Sequence, residues 1–269
     1  MNAVDVRSVS KIFNAGKANQ VDALLGVDLT VAPGSFVSLI GPSGCGKSTL
    51  LRLIADLTQA TSGTIAVNGK NADQARKDQD YGMAFQQAGL FEWRKVHRNI
   101  ELPLELRGWD KTTRRARSQE LLKLVQLPNF GNHYPWELSG GMQQRIAIAR
   151  ALASDPPLLL MDEPFGALDE MTREHMQAEL MRICAETKKT VVFVTHSIPE
   201  AVYLSTQVVV MSARPGRITH VIDVDLGDRR DADEVRESAE FFKKITEVRE
   251  ALRHVEGGGA HAGLGVDDR

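Results

Sequence analysis

Short apolar runs rich in β-branched residues recur along the chain: Val4 to Val9, Phe36 to Ile40, Leu158 to Met161, Val191 to Thr195 and Val208 to Met211. Each is bounded by turn residues, and each predicts a strand. Between them, Ser48 to Asp56, Lys111 to Val125, Gln143 to Ala153 and Thr172 to Glu186 read as helices, so strands and helices alternate as in an α/β sheet. Two shorter pieces, Val27 to Val31 and Gly63 to Val67, are set off by Pro33-Gly34 and Asn68-Gly69 and predict an antiparallel β edge. From about Ala88 to Ser154 the strand signals vanish and helical composition takes over, with Pro103, Pro128 and Pro135 as breaks. This predicts an inserted helical subdomain. The tail from Gly227 is charged and then becomes glycine-rich from Gly257, a composition that buries little apolar area, so the last dozen or so residues are expected to be mobile.

Composition narrows the function classes without choosing one. A hydrophobic share of 42% and a charged share of 25% over 269 residues suit a soluble globular chain. The formal net charge of −2 supplies no basic field, which argues against nucleic acid as a partner. Cys45 and Cys184 are the only cysteines, too few for a disulfide framework and compatible with a reducing compartment. The start lacks an apolar leader, and no apolar run approaches the roughly 18 residues of a membrane span. A membrane, if one is involved, must be reached through a partner.

The strongest chemical signal is Gly41-Pro42-Ser43-Gly44-Cys45-Gly46-Lys47-Ser48-Thr49, a GxxxxGK[ST] loop between the strand Phe36 to Ile40 and a helix. Glycines let backbone wrap closely around phosphate, and a helix N-terminus adds free N–H groups and the positive end of its dipole. Lys47 supplies a charge for the β- and γ-phosphates, and the Ser48 hydroxyl suits Mg²⁺. A second signal is the apolar run Leu158 to Met161 ending in Asp162 and Glu163. Alone, this is most simply a strand ending in solvated charge. Paired with a phosphate loop, Asp162 becomes the carboxylate that organises the metal, and Glu163 a base for the attacking water. A third is Leu138-Ser139-Gly140-Gly141-Met142 ahead of a helix, where a serine hydroxyl and bare amides can form a second anion site or merely an ordinary N-cap.

These motifs, in this order from about Val4 to Ile218, resemble the ATP-binding cassette family. The resemblance implies a P-loop NTPase core of RecA-like type with an antiparallel β subdomain and an inserted helical subdomain. Residues 1–218 would form the ATPase domain, with the helical signature part at about 88–154, and 219–269 a C-terminal extension. It also implies a head-to-tail dimer that sandwiches ATP between the phosphate loop of one copy and Ser139, Gly140 and Gly141 of the other. Phe13 falls where the family stacks an aromatic on adenine, although a core residue at a strand edge is a serious rival reading. Gln86 resembles the glutamine that meets Mg²⁺ and the attacking water, with Gln87 beside it as an alternative. Asp169, in Ala167-Leu168-Asp169, resembles an acid that crosses the dimer interface, and His196 the histidine that contacts the γ-phosphate.

The same resemblance implies function and partners. The stretches FQQAGLFEWRKVHRNI, LSGGMQQR, DEPFGALDEMTR and SARPGRI are similar to the nitrate, sulfonate and taurine importer group. That predicts an ATP-hydrolysing subunit on the cytoplasmic face of the cell membrane, bound to separate transmembrane permease subunits and serving, indirectly, a solute-binding protein. Glu92-Trp93-Arg94 is a candidate contact for a permease helix, or else a subdomain hinge. The rival function is a nontransport ABC ATPase in DNA repair or translation, which would normally carry a long coiled-coil insertion or a second phosphate loop.

Overall fold

In a computed structural model, residues 1–227 and 233–257 are described. In chain order the strands are β1 (Val4–Phe13), β2 (Val21–Val31), β3 (Phe36–Ile40), β4 (Ser62–Val67), β5 (Lys70–Asn71), β6 (Tyr81–Ala84), β7 (Leu158–Asp162), β8 (Thr190–Val194), β9 (Gln207–Met211) and β10 (Ile218–Asp223). The helices are α1 (Lys47–Ile54), α2 (Ala72–Lys77), α3 (Val96–Leu106), α4 (Lys111–Leu124), α5 (Gly140–Ala151), α6 (Glu170–Thr187), α7 (Ile198–Leu204), α8 (Asp233–Arg236) and α9 (Ala239–Gly257). They form two compact units, one from residues 1–72 and 194–269 and the other from 73–193.

The first unit holds a four-stranded sheet in the order β2-β1-β4-β5. The pairing is antiparallel, with Val4 opposite Val31 on one side and Val67 on the other. β1 and β2 run further than their apolar runs predict, through polar residues to Phe13 and from Val21, because the partner strand keeps supplying backbone hydrogen bonds after burial ends. The same unit contains β3 paired in parallel with β9, Leu39 opposite Val209, and β10 antiparallel on β9. Every residue of β3 is buried, as its mostly apolar run requires of a strand covered on both faces, and its one polar side chain, Ser38, accepts a hydrogen bond from the Ser205 hydroxyl.

The C-terminal extension departs from the sequence expectation. α9 buries Phe241, Ile245, Val248 and Ala251 and packs against α7, β9 and β10. Its apolar residues fall at i, i+4, i+7 and i+10, a narrow helical stripe within a charged segment. The expected mobility of the last dozen residues concerns positions outside those described.

In the second unit the strands run in the order β8-β7-β6. β6 and β7 are parallel, with Met83 opposite Leu160, and all of β7 is buried. α3, α4 and α5 pack on one another where the strand signals lapse. The Asp110 carboxylate caps α4 by accepting from the amides of Thr112 and Thr113, and the hydrogen bond from the Thr113 hydroxyl, followed by those amides, holds its pKa below the usual carboxylate range. Glu101, almost wholly buried, is matched by Arg98 at 3.1 Å and Arg115 at 3.9 Å, as a buried carboxylate requires.

Candidate nucleotide site

The phosphate loop leaves β3 at Gly41 and enters α1 at Lys47. Gly46, the N-cap of α1, has φ 103°, in the left-handed region that favours glycine. A Cβ there would lie 2.6 Å from Leu24 Cδ2 and 3.0 Å from the Ala23 carbonyl. Lys47 is 7% exposed and donates to the carbonyls of Gly41 at 2.7 Å and Pro42 at 3.1 Å. Cys45 is buried at the centre of the loop, with Lys47 Nζ 3.8 Å from its sulfur. Ser43 and Gly44 are exposed, while Pro42, Ser48 and Thr49 are half-buried. The arrangement is an open ring of backbone with one cation folded into it.

Two residues that motif reasoning did not single out support this ring from the segment after β9. The Arg214 guanidinium donates to the Gly44 carbonyl at 3.3 Å. Gly216 lies so close that a Cβ would sit 1.9 Å from the Cys45 carbonyl. The SARPGRI stretch carried a family resemblance in the sequence, but no spacing rule connects it to a loop some 170 residues earlier.

The remaining candidates of this unit are Phe13 and His196. Phe13, at the end of β1, is 39% exposed, with Lys11 Nζ 4.8 Å from its ring centroid. Its ring is therefore partly open to solvent. His196 follows β8 and is exposed. The turn that carries it is fixed by its neighbours: the buried Thr195 hydroxyl donates to the Glu200 carboxylate, and the Ser197 amide donates to Thr195 Oγ1 at 3.0 Å.

In the second unit, β7 delivers Asp162, 3% exposed, and Glu163 at its end. Glu163 has φ 48°, a conformation that non-glycine residues adopt at a cost and that clusters at functional sites. Gln86 Nε2 donates to Glu163 Oε2 at 3.3 Å, so the amide and the acid singled out from sequence meet.

Ser139 caps α5, its hydroxyl accepting from the Met142 amide at 3.3 Å. Ser139 and Gly140 are exposed, and a Cβ on Gly140 would meet nothing within 4 Å, whereas one on Gly141 would lie 3.4 Å from the Ala167 carbonyl. The turn thus lies against Ala167 and Leu168. Asp169 caps α6 by accepting from the Thr172 amide at 3.0 Å. Hydrogen bonding to Thr172, and secondarily the charge of Arg145, holds its pKa below the usual carboxylate range. Trp93 is 73% exposed and rests on Phe91, ring centroids 4.9 Å apart.

No helix among the described residues is long and apolar enough to cross a membrane. Residues 24–166 match the family model described as ABC transporter. The chain is 47% identical over 243 residues to an ABC transporter ATP-binding protein of Methanocaldococcus jannaschii, covering 90% of each. It is 44% identical over 255 residues to a taurine import ATP-binding protein of Rhizobium johnstonii, covering 93% of this chain and 97% of that one. An aliphatic sulfonates import ATP-binding protein of Bacillus thuringiensis is 43% identical over 251 residues, with 93% and 96% covered. Among solved structures, a dimeric ATP-binding cassette in a post-hydrolysis state, bound to ADP and Pi, superposes with a TM-score of 0.77 at 36% identity, covering 82% of this chain and 99% of that one. The phosphate loop, the acidic end of β7 and the Ser-Gly-Gly turn thus stand in a chain that belongs to the ABC transporter family, as one of its ATP-binding, ATP-hydrolysing cassettes.

Proposed function

We propose that this chain energises the import of a small solute by binding and hydrolysing ATP on the cytoplasmic face of the membrane, through separate transmembrane permease subunits served by a solute-binding protein. The single observation that carries the chemistry is the contact between Gln86 and the left-handed Glu163 at the end of β7. It brings an amide and a carboxylate together at a left-handed residue, a conformation that recurs at functional sites.

ATP is assigned to the loop Gly41 to Thr49, with Phe13 against the base. The carbonyls that hold Lys47 leave its charge for a stronger acceptor, and the phosphate oxygens of ATP are such acceptors. Ser48, Gln86 and Asp162 offer a hydroxyl, an amide oxygen and a carboxylate, an all-oxygen set that suits Mg²⁺. Bound there, Mg²⁺ would neutralise charge developing on the β- and γ-phosphates. Glu163 accepts the proton of the water that attacks the γ-phosphorus, Gln86 orients that water, and His196 and Lys47 stabilise the transferred group. Ser139, Gly140 and Gly141 are assigned to the ATP of a second copy in a head-to-tail dimer, with Asp169 at the interface. Residues 1–218 constitute the cassette, about 88–154 its helical signature part, and 219–269 an extension.

Glu163→Gln is expected to bind ATP with little change and to hydrolyse it 10²- to 10⁴-fold more slowly. Undiminished turnover would remove Glu163 as the base. Import is tested by purifying the tagged chain from gently solubilised membranes and assaying ATPase activity with and without the chains that accompany it. A multispanning permease that raises the rate supports the transporter reading. Organic sulfonates, after the relatives' names, are the first solutes to supply. Recovery of only nucleic-acid or ribosomal partners would leave the ATPase standing and overturn transport.

A further inference from the structure

The segment carrying Gln86 is held at both ends by a single helix. From α5, the amide of Gln144, 1% exposed, donates to the Phe85 carbonyl at 2.8 Å. One and a half turns further on, Arg150 spreads its guanidinium over two consecutive carbonyls, Ala88 at 2.8 Å and Gly89 at 2.8 Å. Both groups belong to the helix that begins at Ser139, and both grip backbone rather than side chain. Among the described residues, no acidic side chain is paired with Arg150. Burial pushes its pKa down with no carboxylate to oppose the effect, so the two carbonyls are the groups that satisfy its charge. A planar fork of donors fits such a pair, whereas the point charge of a lysine reaches only one.

We propose that Arg150 is a positioning residue for Gln86: it fixes the Ala88-Gly89 backbone so that the Gln86 amide stays on Glu163, with Gln144 as the second anchor. The signature end of α5 and the glutamine segment then move as one piece. Displacing the Ser139 turn displaces Gln86 with it. The inference rests on the role proposed above for Gln86, and its test separates the two.

The full-length chain carries Arg150→Met, Gln86→Ala and both together. Arg150→Met is expected to lower kcat about 10- to 100-fold, the scale of an ångström-sized misplacement of a reacting group. Affinity for a fluorescent ATP analogue should stay within about twofold, since uniform binding is untouched. In the Gln86→Ala background the same substitution should cost little more, because residues acting through one group are not additive. Amide exchange over residues 86–91 should accelerate in Arg150→Met while α1 keeps its protection. Arg150→Lys should fall between, recovering one carbonyl, and it carries the same cycle and the same exchange measurement should the methionine variant not fold. Multiplying losses in the two backgrounds, or unchanged exchange over 86–91, would overturn the proposal. Full hydrolysis by Gln86→Ala alone would sink the role of Gln86, while the exchange result would still decide whether Arg150 holds the segment.

Discussion

Gly46 bears two constraints at once, a left-handed backbone and the closeness of Leu24 and Ala23. Leu24 Cδ2 can swing away from an added methyl group; the φ of 103° cannot be relieved so easily. Gly46→Ala is therefore expected to cost roughly 1–3 kcal/mol, the range for a residue forced into a sparsely populated conformation, and to weaken nucleotide binding through the distorted loop. Urea denaturation and ATP titration read the two effects, and a variant unchanged in both would contradict this account. Cys184 offers a second check. Burial pushes its thiol from 9.0 up to about 12, so the folded chain keeps the proton where the unfolded chain has lost it. The proton count then favours the unfolded state as pH rises, and this contribution to stability is present below about pH 9 and fades toward 12. Iodoacetamide at pH 8 should modify Cys184 slowly in the native chain and quickly in urea; rapid native labelling would refute the burial argument. Among individual residues, those whose placement depends on local spacing, such as Lys47, Ser139 and the Asp162-Glu163 pair, could be located from the sequence. Arg150 and Arg214 could not, because each acts through a hydrogen bond to a segment far away in the chain that only the tertiary fold brings near.

At the scale of elements, the apolar runs located β3, β7, β8 and β9 to within a residue or two, since a strand buried on both faces is mostly apolar. Legibility failed where burial was partial. β10 exposes Thr219, His220 and Val221 and owes its existence to pairing with β9. α9 was masked by its charge: between Glu240 and Arg253 only every third or fourth residue is buried, so local composition reads as solvated while the periodicity reads as a helix on a core. The consequence is measurable. Phe241→Ala removes a ring that is 5% exposed and is expected to destabilise the chain by about 3–5 kcal/mol, as truncations of buried aromatics do. Equilibrium unfolding checks it, and a shift under about 1 kcal/mol, the range of surface substitutions, would mean that the extension contributes no packing.

For the whole molecule, the exposed Ser139-Gly140 turn is a feature that the described residues leave largely uncovered. Gly140 has open space around it, and among the described residues the Ser139 hydroxyl serves as an N-cap, which leaves lone-pair and proton capacity for an anion. If that anion is the γ-phosphate of ATP held by another copy, nucleotide is part of the interface, and dimers require both ATP and this turn. Glu163→Gln is expected to slow hydrolysis and so to preserve such a sandwich. In that background the chain should elute from a sizing column as a dimer with ATP and Mg²⁺ and as a monomer without them. Adding Ser139→Arg places a bulky cation where a hydroxyl should meet phosphate. ATP affinity of the separate chain should be unaffected, because the loop Gly41 to Thr49 is intact, yet the dimer should not form. A dimer that survives Ser139→Arg would move the interface away from the signature turn. A dimer already present without nucleotide would mean that the two copies associate through surfaces other than the shared ATP. In either case the chemistry assigned to Lys47 and Glu163 would stand, while head-to-tail completion of the site would have to be abandoned or reduced to a step that follows assembly.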